Sequence, residues 1–175
     1  MAGLIKNLNI SPDSWRLVEA TDAAALAAVP AFVDVIVPLA LWRGHKADIR
    51  ARALGLGVWL DGHDDPSTLI GELADLRVIA IRIPSFTDGR AYSTARLLRE
   101  RYGYRGELRA IGNVLQDQLW ELSQCGFDAF ALADGQDPVA ALAALKEFSD
   151  HYQATAAQPQ PLFRRRLLPA SSEAA

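Results

Sequence analysis

From residue 32 onward, short apolar runs rich in β-branched residues alternate with stretches of helical spacing, and no other feature of the sequence constrains the fold as strongly. Segments 32–37, 56–60, 78–83, 107–111 and 129–133 read as strands bounded by glycine, proline or polar residues. Between them, 41–54, 67–76, 89–102 and 113–124 carry helical patterns, and Asp137 followed by Pro138 opens a last helix reaching Ser149. Asn113 with Gln116 is expected to cap the fourth of these, and Thr87 or Asp88 the third. Strands that recur with a helix between them pair in parallel, because a parallel connection must cross the length of the sheet. Val78 to Ile83 is almost continuously apolar, as a strand covered on both faces requires. Ala91, Ala95, Leu98 and Tyr102 form a single buried helical stripe.

The pattern predicts an α/β domain with a largely parallel sheet of five or six strands, the sixth lying within 15–19. A complete eight-unit TIM barrel takes about 250 residues, and the chain has 175. Two architectures stay open: a partial TIM-barrel-like sheet, towards which the Gly112-Asn113 strand end tilts, and a flavodoxin-like doubly wound sandwich. Residues 1–152 are assigned to this single domain. Residues 153–175, with Pro159, Pro161, Pro169 and the run Arg164, Arg165 and Arg166, are expected to form an extended, mobile tail that Leu162 and Phe163 tie to the body.

Cys125 is the one cysteine, which excludes an internal disulfide, a four-cysteine iron-sulfur site and a thiolate zinc cage within one chain. The longest apolar stretch, 26–41, is interrupted by Pro30, Asp34 and Pro38 and falls short of the roughly 20 residues a membrane helix needs. No secretory signal is visible in the first residues, so a cytoplasmic location is expected. There is no Walker loop, and Gly55 and Gly57 lack the third glycine of a dinucleotide-binding turn, so no cofactor is expected. A pI near 5.6 argues against nucleic acid as a partner.

Charge is unevenly spread. Fifteen of the 18 basic residues are arginine, and seven of these fall within 82–109 beside only Asp88, Glu100 and Glu107. That segment carries +4 and the remainder -7. Arginine presents a planar fork suited to oxyanions.

In parallel sheets, ligands gather beyond the carboxyl ends of the strands, where loops and helix starts emerge together. An oxyanion site there would draw on Gly89, Arg90, Ser93, Arg96, Arg109 and Asn113, with Asp88 or Asp117 as acid-base groups. The bland alternative is a capped helix whose arginines pair locally, for instance Arg96 with Glu100. The cluster of Asp61, His63, Asp64 and Asp65 matches no zinc or calcium spacing. It reads as a helix-start loop before Pro66 and Ser67, and no metal is expected. Cys125 reads as a small buried residue.

Residues 84–130 read PSFTDGRAYSTARLLRERYGYRGELRAIGNVLQDQLWELSQCGFDAF. Through DGRAYSTARLLRE, GELRAIGNV, DQL and CGFDAF the chain resembles the bacterial family catalogued as domain of unknown function 934, and the likeness extends to GVWLD and PLFRRR. The resemblance places the family's signature on Asp88, Gly89, Arg90, Tyr92, Ser93, Arg96, Arg99, Arg109, Gly112, Asp117, Gln118, Gly126 and Phe127. Asn113 stands where the family often has Asp, and an amide cannot transfer a proton as an ionising group. Ile83 stands where it often has an aromatic residue.

The resemblance implies a role in assimilatory sulfite reduction, beside whose genes family members are usually encoded, and an oxidoreductase label taken from that neighbourhood. Two functions follow as expectations. One is an accessory protein or subunit whose partners are sulfite reductase components. The other is a small-molecule enzyme or binding protein for a sulfur or phosphorus oxyanion. A homodimer formed through a self-pairing sheet edge is a third possibility.

Overall fold

The computed structural model describes residues 4–19, 24, 31–146, 152–156 and 158–166. Within them lie eight strands: β1 (Leu4–Lys6), β2 (Asn9–Ser11), β3 (Arg16–Leu17), β4 (Val35–Pro38), β5 (Leu56–Leu60), β6 (Val78–Ile83), β7 (Glu107–Gly112) and β8 (Ala129–Ala131). They form one sheet in the order β2-β1-β8-β7-β6-β5-β4-β3. β3 to β8 pair in parallel and follow one another in chain order. β1 joins β8 antiparallel, with Ile5 opposite Phe130, and β2 joins β1 antiparallel. The protein is therefore α/β with a largely parallel, mixed sheet.

Strand order follows from the crossovers. Right-handed β-α-β connections that always step the same way lay every helix on the same face of the sheet. Four helices do so: α1 (Leu39–Arg52), α2 (Arg90–Arg96), α3 (Leu119–Gln124) and α4 (Pro138–Leu145). Trp42 and Ile49, Ala91 and Ala95, Leu119 and Leu122, and Ala141 and Leu145 all enter one apolar cluster with Val58, Ile79, Ile81, Leu108 and Ala110 from the strands. A doubly wound sandwich needs a reversal of strand order and helices on both faces. Neither occurs among the described residues.

The opposite face is a smaller cluster of Ile36, Trp59, Val78, Ala80 and Ile111, and Trp15 and Leu17 pack onto it. The segment leading to β3 thus lies across this face, where Trp59 Nε1 donates to the Val18 carbonyl at 2.8 Å. β6 is buried on both faces, as its apolar run requires.

Several elements differ from expectation for local reasons. β1 and β2 are unforeseen strands joined by Asn7 and Leu8, both at positive φ (48° and 61°), as a two-residue type I′ loop demands. The region 67–76 forms a 3₁₀ helix, Pro66–Glu72, started by Asp65, whose carboxylate accepts from the Ser67 amide. α2 continues as a π-helical turn over Leu97–Arg101. Asn113 does not cap α3. A 3₁₀ turn, Gln116–Gln118, precedes that helix, and the Gln118 side chain accepts from the Leu115 amide. The tail carries a short helix, α5 (Leu162–Arg165), and its Ala156 amide donates to the Gln124 carbonyl. Phe163 is half exposed and meets Tyr152 rather than the core. Residues 147–149 of the last predicted helix lie outside the described residues.

Candidate functional site

The carboxyl edge of the sheet is shaped by turns that satisfy themselves. After β5, the Asp61 amide donates to Asp64 and the Gly62 amide to Asp61, so these acids brace their own loop. After β6, the exposed loop 84–87 leads into α2, and Asp88 Oδ1 accepts from the Arg90 amide at 3.1 Å. That bond occupies one of the amides left free at a helix start.

Arg90 folds back on the same carboxylate. Its Nε lies 2.9 Å from Asp88 Oδ1, and its Nη1 lies 2.9 Å from His63 Nε2. The guanidinium also covers Gly62, where an added Cβ would stand 2.7 Å from Arg90 Cζ. Hydrogen bonds from Arg90 hold the Asp88 carboxyl down at about 2. Asp88 is therefore ionised across the physiological range, and so weak a base is a poor proton acceptor.

The remaining expected residues are distributed as follows. Gly89 has a negative φ, and a Cβ there would meet nothing within 4 Å, so neither conformation nor crowding demands glycine. Ser93 is exposed on the outer side of α2. Arg96 pairs with Glu100 one turn on, Nε to Oε1 at 3.2 Å, which is the local pairing weighed from the sequence. Asn113 and Asp117 are exposed at the end of β7, and no hydrogen bond or ion pair links either side chain to Asp88 or Arg90 among the described residues.

Arg109 departs furthest from expectation. Strand alternation turns it to the face away from the helices, where it is 2% exposed. There its Nε meets Glu107 Oε1 at 2.6 Å and its Nη1 meets Asp13 at 2.8 Å. Lys6 holds the other Glu107 oxygen at 2.6 Å. Arg90, Arg96 and Arg109 thus have three separate sets of partners and do not converge on one pocket.

Phe86 was not foreseen. It stands 60% exposed between Ser85 and Thr87, in the loop that carries Asp88 and Arg90. A large aromatic residue in an otherwise polar loop was the available signal. Cys125 is buried, and burial with Glu121 nearby pushes its thiol up. No helix among the described residues is long and apolar enough to cross a membrane.

Fold and edge together define an α/β protein whose open, largely parallel sheet ends in a polar rim of internally paired groups. The family model described as a bacterial protein of unknown function (DUF934) matches residues 57–163, and the chain belongs to that family. No curated protein and no solved structure is significantly similar to it.

Proposed function

We propose that the protein is a non-catalytic accessory component of assimilatory sulfite reduction, and that it engages a reductase component through the carboxyl edge of its sheet. The sheet itself is read as part of a TIM-like barrel, with six parallel strands in chain order presenting their loops on one rim.

The observation that carries the reading is the pairing of Asp88, Arg90 and His63 at the end of a loop that also carries an exposed Phe86. The pairing spends the acid and the guanidinium on each other, which removes them from proton transfer. An exposed aromatic beside an ordered arginine is instead the usual composition of a protein-protein anchor. Sulfite reduction as the setting comes from the family resemblance.

Tagged protein purified from sulfate-grown cells is expected to retain a sulfite reductase component. Phe86→Ala should lose that retention with an unchanged melting temperature, because the side chain is exposed. Recovery of the protein free of the reductase, in cells that express it, removes this reading.

A further inference from the structure

Three cavities meet at one side chain on the opposite, amino-terminal edge of the sheet. One, of about 670 Å³, lies between the π-helical turn, residues 126–128 and residues 154–156. A second, about 520 Å³, opens beside Lys6, Asp34 and Arg77. A third, about 490 Å³, lies against Ile70, Leu73 and Tyr102. Arg105 borders all three.

The backbone around Arg105 is held from both sides. Arg99 Nη1 donates to the carbonyls of Tyr104 and Gly106, at 3.0 and 2.8 Å, which flank Arg105 in the chain. Its Nε donates to the Gly126 carbonyl and its Nη2 to Asp128, so Arg99 is consumed within the fold. Tyr104 is buried and donates its hydroxyl towards the Leu76 and Glu107 carbonyls, each at 3.2 Å. Gly106 fits against that ring, since a Cβ there would stand 2.3 Å from the Tyr104 hydroxyl.

Arg105 itself is exposed and makes no hydrogen bond or ion pair among the described residues. The side chain of Arg77, which precedes the neighbouring strand β6, is likewise exposed and makes no hydrogen bond or ion pair among the described residues. Across the larger cavity, Arg96 uses its Nε on Glu100, and its Nη groups have no hydrogen bond among the described residues. Within that cavity Arg99 and Asp128 neutralise each other, as do Arg96 and Glu100 in part, and among the described residues Arg105 supplies the uncompensated charge. A rigid loop that holds an unneutralised guanidinium has already lost the freedom a ligand would otherwise have to remove.

From this juxtaposition we infer that the amino-terminal edge is an oxyanion site, with Arg105 as principal ligand and Arg96 facing it across the larger cavity. Its ligand is a small molecule carrying a phosphate or sulfate group, and the volume suits one. The site shares no residue with the docking edge of Phe86, Arg90 and His63.

The test is an NMR titration of the full chain at low ionic strength with inorganic phosphate, sulfate and pyrophosphate, and sodium chloride as the control. Saturable shifts at the Arg105, Gly106 and Thr155 amides are expected. Arg105→Ala should weaken binding at least tenfold, Arg105→Lys should retain part of it, and Arg90→Ala should leave it unchanged. No saturable response, an equal response to chloride, or wild-type binding by Arg105→Ala overturns the site. A tighter grip on pyrophosphate than on either simple ion would identify a phosphorylated metabolite rather than a free anion as the ligand. Retention of the reductase is read separately and is untouched by these outcomes.

Discussion

Arg109 and Glu107 stand two residues apart on β7, so they share a face, and their side chains meet at 2.6 Å with both almost wholly buried. Asp13 completes the guanidinium's partners from the segment that crosses this face. An ion pair of this kind adds little over a well-packed apolar pair, but breaking it leaves a buried charge behind. Arg109→Ala should therefore cost about 3 kcal/mol, measured by urea unfolding, while Phe86-dependent retention of the partner persists in the folded fraction. A loss below about 0.5 kcal/mol would show that Lys6 alone satisfies Glu107.

A second prediction concerns acid. The Asp88 carboxyl is lowered in the fold by Arg90, to about 2. A depressed carboxylate pKa stabilises the native state above its unfolded value, and that contribution fades as pH falls from the ordinary carboxylate range to about 2. Carboxyl-detected NMR should find the Asp88 midpoint near the bottom of that window. In Arg90→Ala the midpoint should return to the ordinary carboxylate range. A midpoint indifferent to Arg90 would contradict the pairing.

Gly112 ends β7 at φ +92°, and a Cβ there would stand 2.6 Å from the Ile83 carbonyl oxygen. Neither backbone can yield cheaply, because the Asn113 amide donates to that same carbonyl at 2.8 Å. Gly112→Ala should destabilise by about 2 kcal/mol. Gly89→Ala, with open space and an ordinary φ, should be nearly neutral, and denaturant midpoints of the two variants provide the comparison.

The buried Cys125 thiol, pushed up by its surroundings, should resist alkylation in the native protein and react when urea unfolds it. Rapid labelling of the native state by iodoacetamide would mean that the packing around α3 opens far more readily than its burial implies.

The sequence revealed those parts of the fold whose periodicity is dictated by burial on both sides. Residues 56–60 and 78–83 are strands to the residue, because central parallel strands must be apolar throughout. The hairpin of β1 and β2 was illegible: each strand is three residues long, and Leu8 holds a turn position where glycine would have announced the loop.

The candidate site divides in the same way. Arg96 with Glu100 follows from helical spacing. The acceptors of Arg99 are mostly backbone carbonyls brought together by tertiary folding, and no side-chain pattern marks them. Arg109 is expected at the carboxyl edge from its chemistry alone, whereas the alternation of Glu107, Leu108 and Arg109 turns it with Glu107 to the face away from the helices.

The pairing of β1 with β8 has a kinetic corollary. The hairpin docks against a strand that lies far along the sequence, Ile5 opposite Phe130, so it must wait until β8 has been made. Until it docks, the outer side of β8 offers unpaired amides and carbonyls to any passing strand. The antiparallel hairpin therefore acts as a late-closing clasp, and a chain without β1 and β2 would be left with an adhesive flank.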